Sequence, residues 1–238
     1  MIVQCDAKSL EWVVGAYLSQ DRIAIQEIHD GIDMHTHNQK TFGLPSRLIA
    51  KVFVFRLMYG GGAYSYANDP NFTEVSTSEK YWQKVIDAFY SKYTGLRDWH
   101  IKIVREAMTE GQLVMPTGRS YKFEMKRNFR GDLKAPETTI KNYPVQGLGA
   151  DLMSIARVSF MRKFRAAGID GLLVNSVHDS IVCDVADKDV KKCVKMCHTV
   201  FEEIPRNFKN LFGVEFNLPL KCEVCIGPDM KNVEETLI

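Results

Sequence analysis

Arg47-Leu-Ile-Ala-Lys51-Val-Phe-Val-Phe55-Arg-Leu-Met-Tyr59-Gly60 carries four chemically pointed side chains, Arg47, Lys51, Phe55 and Tyr59, one at every fourth position. On an α-helix a step of four residues overshoots a full turn by only about 40°, so the four form one slowly winding stripe. The stripe begins with two cations and ends with two aromatics. That order suits a ligand that is anionic at one end and flat at the other, as a nucleoside triphosphate is. Arginine offers phosphates a fork and lysine a point charge, and Phe55 and Tyr59 offer flat surfaces for a sugar and a base. The alternative is a plain amphipathic helix with core aromatics and solvated cations. Phe53 and Val54 suffice as its core residues without Phe55 and Tyr59.

Outward from this helix, Pro45 or Ser46 opens it and Gly60-Gly61-Gly62 closes it. Upstream, Met1 to Cys5 reads as a buried strand ending at Asp6. Leu10 to Leu18 reads as a helix with Trp12, Val13, Ala16 and Tyr17 on its core face. Asp33 to Phe42 reads as a helix stopped by Gly43. Downstream, Ser76 to Tyr93 and Gly95 to Thr109 read as long helices with Trp82, Phe89, Tyr90 and Trp99 inward. Leu113 to Phe123 reads as a hairpin around Pro116-Thr-Gly118. Thr138 to Ala167 is helical after an initial proline-bearing segment. Leu172 to Val185 is strand, turn, strand, with His178-Asp179-Ser180 at the turn. Val190 to Glu203 is a helix and Leu220 to Ile226 a last strand. This order predicts an α+β fold in which the N-terminal strand joins the C-terminal ones.

The 238 residues make one large domain or two joined lobes, and the formal charge of +2 excludes a globally basic polyanion binder. No apolar run approaches the roughly 20 residues of a membrane span, and Met1-Ile-Val-Gln-Cys-Asp6 lacks the pattern of a secretion signal. The expectation is a cytoplasmic protein with reduced cysteines. Cys193 and Cys197, with His198 beside them, and the Cys222-x-x-Cys225 spacing invite a zinc reading. On a strand, however, residues three apart face opposite sides, and small core residues are the better reading.

Three further groups can carry chemistry. Asp6 and Asp179 both end apolar strands. A shared sheet that joined them would make a hard oxygen site suited to Mg²⁺, whereas singly each is an ordinary turn or cap residue. Arg119, Lys122, Lys126, Arg127, Arg130 and Lys134 stand against Glu124 and Asp132, with Tyr121, Phe123 and Phe129 interleaved. Such a patch tracks a phosphate backbone or is simply a solvated hairpin face. Asn142 and Gln146 can hydrogen-bond base edges, or cap and satisfy turns.

Together these residues resemble the polymerase domain of family A DNA polymerases. Asp6-Ala-Lys-Ser-Leu-Glu11 is similar to the first palm motif, Arg47…Lys51…Phe55…Tyr59-Gly60 to the nucleotide-binding fingers helix, and Val177-His178-Asp179-Ser180 to the third, palm motif. Asp33-Met-His35, Asn142…Gln146-Gly147 and Gly227-Pro228 match in type and order. The resemblance implies a palm of antiparallel sheet and helices over 1–14 and 139–238, and helical fingers over 15–138 that include a basic hairpin segment at 112–134. It implies two Mg²⁺ ions, with Mn²⁺ as the alternative, held by Asp6, Asp179 and the carbonyl of Ala7. Arg47, Lys51 and His35 would bind phosphates, and Lys51 would protonate the leaving group. Phe55 would pack on the sugar and Tyr59 near the template position. Glu11 would be the steric gate against ribonucleotides. Asn142, Gln146, His178 and Arg119 would contact primer–template DNA.

The implied activity is template-directed DNA polymerisation from deoxynucleoside triphosphates. Ser180 replaces the family's usual Glu, Ala7-Lys8-Ser9 its Tyr-Ser-Gln, and Thr138 a common Arg. The chain begins only five residues before Asp6. The expectation is therefore the C-terminal part of a split, phage-type enzyme completed by a second polypeptide that supplies thumb and exonuclease. The competing expectation is a catalytically inactive replication subunit that binds DNA or a partner.

Overall fold

The computed structural model describes residues 1–127, 131 and 133–236. In chain order the elements are β1 (Ile2–Ala7), α1 (Leu10–Ser19), α2 (Arg22–His29), α3 (Met34–Phe42), α4 (Arg47–Met58), α5 (Ala63–Ala67), α6 (Glu79–Lys92), α7 (Thr94–Glu110), β2 (Gln112–Val114), β3 (Ser120–Lys122), β4 (Lys126–Arg127), β5 (Leu133–Lys134), α8 (Glu137–Ala166), β6 (Gly171–Asn175), β7 (Ser180–Val185), α9 (Val190–Glu202), α10 (Ile204–Phe212), β8 (Cys222–Gly227) and β9 (Glu234–Glu235). The chain divides into a sheet unit, Met1–Val14 with Gly147–Ile238, and a helical unit, Gly15–Gln146.

The sheet unit is built on five strands in the order β6-β7-β1-β8-β9. The N-terminal strand is central, antiparallel to β7 on one side and β8 on the other. Its alternating pattern puts Val3, Cys5 and Ala7 in the core. Helix α9 covers that face with Cys193, Val194, Cys197, Val200 and Phe201, all buried. Four of the cysteines thus pack as small apolar side chains beneath β1 and β7. Cys222 is buried on β8 and Cys225 is only half-buried, as residues three apart on a strand require.

The helical unit has an aromatic core. Phe53, Tyr66, Phe72, Trp82 and Phe89 are fully buried, with ring centroids 5.1 Å apart for Phe53–Tyr66 and 5.2 Å for Tyr66–Trp82. The Tyr66 hydroxyl is satisfied by donating to the Phe53 carbonyl at 2.8 Å. Burial of this many rings supplies most of the drive for a unit with so little sheet. Tyr90 and Trp99, expected inward, are only half-buried. Three helices, α2, α5 and α10, have no counterpart in the sequence reading. Helix α2 buries only Ala24 and Glu27, α5 only Tyr66 and Ala67, and α10 only Ile204 and Phe208, so each offers too few core positions for an apolar period to stand out. Asp21 caps α2 and also accepts from the Leu96 amide at 3.1 Å. Gly95 permits that approach, because a Cβ there would lie 2.7 Å from the Asp21 Cα.

Helix α8 runs 30 residues with Pro144 inside it. The proline-bearing stretch is therefore helix rather than a lead-in. Proline removes one i→i−4 bond, at the carbonyl of Ile140. Ile140, Val145 and Leu148 are each buried to within 1%, and their packing outweighs that loss.

Candidate active site

In the sheet unit, strand pairing brings Asp6, Ala7 and Asp179 to one end of the sheet. The Ala7 amide donates to the Asp179 carbonyl at 3.0 Å. Asp6 lies in register with Ser180 on β7 and Glu223 on β8. Directly opposed residues share a face, so Ser180, Asp6 and Glu223 form a row across three strands. Asp6 and Asp179 are half-buried and His178 is exposed. The turn into β7 is tight. The Val177 carbonyl accepts from both the amide and the hydroxyl of Ser180, at 2.8 and 2.9 Å. His178 adopts φ 51°, a left-handed conformation uncommon outside glycine, in which His, Asn and Asp are enriched.

Ser180 is 3% exposed. With its hydroxyl committed to Val177 it is a turn residue, not a third oxygen ligand. Glu223 extends instead to the Lys8 ammonium at 3.0 Å. Sequence reading missed it because only the β1–β8 register reveals a carboxylate opposite Asp6. Glu11 occupies the first turn of α1 and is half-buried. The donors at this end are carboxylate and carbonyl oxygens, the hard set that suits Mg²⁺. Among the described residues no three His, Cys, Asp or Glu side chains gather to hold a metal ion. A cation here would rest on Asp6, Asp179 and the Ala7 carbonyl, with its remaining positions filled by water or substrate oxygens.

In the helical unit, α4 starts at the Ser46 cap, whose hydroxyl accepts from the Ile49 amide. Gly60 follows its last residues at φ 84°. The buried face is Ala50, Phe53, Val54, Leu57 and Met58. The stripe lies alongside it: Arg47 and Lys51 are exposed, Phe55 and Tyr59 half-buried. The amphipathic alternative put aromatics of the stripe in the core, but the core uses their neighbours. Lys51 Nζ lies 5.7 Å from the Phe55 ring centroid. The His35 ring meets Phe55 edge-on at 5.5 Å.

His35 is 3% exposed and its Nδ1 has no hydrogen-bond partner. Burial, then repulsion from Arg47 and Lys51, lowers its pKa to about 4 against an opposing pull from Asp33. At neutral pH it is an uncharged imidazole. Asp33 caps α3 and bonds Arg47 Nε at 2.7 Å. Burial would raise its carboxyl, but the bonds from Arg47 and Thr36 hold it well below the usual carboxylate range. Lys51, Phe55, His35 and Arg47 therefore form one continuous grip, with Asp33 behind it.

At the far end of the stripe, Gln146 Nε2 donates to the Tyr59 hydroxyl at 2.5 Å. Asn142 stands one turn earlier on α8. Arg119 is exposed and lies in the β2–β3 hairpin. Of the basic cluster, Lys122, Lys126, Arg127 and Lys134 are exposed. Phe123 is not a stacking surface: it is 8% exposed and packs with Ile103, Leu113 and Ile140. Phe129, Arg130 and Asp132 lie outside the described residues.

Comparison with known proteins gives this geometry its context. The family model DNA polymerase family A matches residues 1–232. The chain is 25% identical to DNA polymerase I of Mycobacterium leprae, covering 95% of this chain and 24% of that protein. It is 26% identical to the thermostable DNA polymerase I of Thermus aquaticus, covering 99% of this chain and 27% of that one. The chain thus spans about a quarter of the length of the curated relatives it matches. A solved structure, the POL domain of Pol1 from M. smegmatis in complex with DNA primer-template and dNTP, has the same fold. Its TM-score is 0.75 at 21% identity, over 95% of this chain and 39% of that one. The family match over nearly the whole length, the strand-end carboxylates and the stripe of α4 lead to one assignment: the chain belongs to DNA polymerase family A.

Proposed function

We propose that this chain carries the nucleotide-binding and metal-holding parts of a template-directed DNA polymerase. The observation that carries the reading is the grip of Arg47, His35, Lys51 and Phe55 on the accessible side of α4, with the core served by other residues. In this reading residues 1–14 and 139–238 are palm and 15–138 fingers.

Arg47 takes phosphate oxygens with its guanidinium. His35, neutral, contributes a hydrogen bond rather than a charge. Phe55 packs on the deoxyribose, and Glu11 fills the space a 2′-hydroxyl would need. Tyr59, oriented by Gln146, holds the position beside the template base. Asn142, His178 and Arg119 contact primer–template DNA. The primer 3′-hydroxyl gives up its proton to water as its oxygen bonds to the α-phosphorus, the bond from that phosphorus to the pyrophosphate oxygen breaks, and Lys51 donates the proton that the leaving oxygen takes up. Asp6, Asp179 and the Ala7 carbonyl would hold two Mg²⁺ ions, which supply charge neutralisation at the attacking and leaving oxygens when bound.

The activity is expected in combination with a polypeptide that supplies thumb and exonuclease. A primer-extension assay with Mg²⁺ and the four deoxynucleotides, with and without that polypeptide, tests it. Loss of incorporation in Asp6→Asn and Asp179→Asn supports the reading. The second reading, an inactive DNA- or partner-binding subunit, is favoured by Ser180, whose hydroxyl is tied to Val177. DNA binding with no incorporation by the completed complex would establish it.

A further inference from the structure

Asp33 has no role in the reading above beyond starting a helix, yet its two oxygens join two residues of the grip, His35 and Arg47. Oδ1 accepts from the amides of His35 at 3.1 Å and Thr36 at 3.4 Å. Oδ2 accepts from the Thr36 hydroxyl at 2.8 Å and from Arg47 Nε at 2.7 Å. One carboxylate therefore fixes the first turn of α3, where His35 sits, to the first residue of α4. Both partners of the Asp33–Arg47 pair are exposed, and an exposed pair contributes little to stability. The pair also places a negative charge next to a cation assigned to phosphates. On charge alone this would weaken anion binding, so the arrangement makes sense only if it does something else.

We propose that Asp33 is a positioning residue for nucleotide binding: it holds Arg47 by its Nε and sets His35 in register with it, so that both meet the triphosphate in a fixed geometry. This rests on the nucleotide-binding reading of α4. The benefit is preorganisation, because an arginine already held in one conformation loses less freedom when the phosphates arrive.

The inference separates geometry from charge. Asp33→Ser keeps an N-cap, since serine caps about as well as aspartate, but it is too short to reach Arg47. Asp33→Asn keeps the cap through its one amide oxygen but turns its NH2 towards Arg47 Nε, so it removes the hold on Arg47 together with the charge. Binding of dGTP with Mg²⁺ to the intact chain is measured by titration calorimetry, and thermal melts check that each variant is folded. Asp33→Ser and Asp33→Asn are each expected to bind roughly fivefold to tenfold more weakly, although loss of a negative charge beside Arg47 would by itself tighten anion binding. Weaker binding on removal of a negative charge is the signature of positioning, and the effect of either variant should vanish when it is made together with Arg47→Ala.

Unchanged or tighter binding in Asp33→Ser overturns the proposal. So does an Asp33→Asn variant that binds as tightly as the parent, which would leave the Oδ2–Arg47 bond without a role. Arg47→Ala tells apart the two levels of failure. If its binding is also unchanged, the nucleotide reading of α4 is wrong and this inference falls with it. If Arg47→Ala weakens binding and Asp33→Ser does not, only the role of Asp33 is lost.

Discussion

The strand-end carboxylates of the sheet unit and the grip of the helical unit are assembled by opposite means. Asp6 and Asp179 are far apart in sequence and come together because β1 pairs with β7. The register of that pairing decides everything, since a slip of one residue would turn Asp6 to the other face. In the helical unit, Arg47, Lys51, Phe55 and Tyr59 share one helix, and helical periodicity aligns them without tertiary help, with only His35 added from α3 by packing. The first site is a product of topology and the second of local geometry. The sheet unit's residues should therefore act as an all-or-none set, while the grip should degrade by increments.

The largest effect should come from the topological side. On the proposed reading, Asp6→Asn should lower primer extension roughly 10⁴-fold, through loss of a carboxylate that no neighbour replaces. Its melting temperature should be nearly unchanged, because Asp6 lies on the outer face of β1. Residual activity within tenfold of the parent would mean that Glu223, opposite Asp6, substitutes for it.

The next largest divides α4 into its two faces. Phe53→Ala should destabilise the chain by about 3–5 kcal/mol through the cavity it leaves in the aromatic core. Phe55→Ala, on the half-buried stripe, should cost roughly 1 kcal/mol and show its effect in nucleotide affinity instead. Chemical denaturation and nucleotide titration of both variants give the answer, and equal destabilisation would erase the distinction between core and grip.

Arg47→Ala should weaken dGTP binding by about tenfold to thirtyfold, the loss of a charge-assisted bidentate contact. Loss of melting temperature in place of affinity would make Arg47 a structural residue.

The smallest effect is a pH dependence confined to one unit. The pKa values of His35 and His100 are lowered to about 4 and about 3 by burial. As pH falls below the ordinary histidine value of 6.5, the unfolded chain binds protons that the folded chain refuses. Stability present above pH 6.5 is then lost progressively towards pH 4. Hydrogen exchange at pH 5 should show α3, α4 and α7 losing protection before the five-stranded sheet does. Equal loss in both units would place the acid-sensitive groups elsewhere.

Legibility followed the same divide. The helix over Arg47–Met58, its start at Pro45 or Ser46 and its glycine stop, the β2–β3 hairpin and the joining of the N-terminal strand to the C-terminal ones all stood in the sequence, whereas its central place did not. Each depends on periodicity or turn chemistry within a short window. Helices α2, α5 and α10 did not, because each buries only two residues and shows no extended apolar period. Glu223 and Asp33 were visible as residues, but their contacts were not. One is set by strand register and the other by the packing of two helix starts.

Sequence alone determined the order of the stripe, two cations and then two aromatics at helical spacing, because a single helix is enough to align them. It also determined that two aspartates end apolar strands. Only the tertiary structure decided that those strands pair with Ala7 bonded to Asp179, and that Ser180 turns its hydroxyl into the backbone. It also decided that Phe53 rather than Phe55 fills the core, and that Asp33 holds Arg47. The physical reason is range. Local conformational preferences act over a few residues, whereas pairing and packing join residues far apart in the chain through the burial of surface they share.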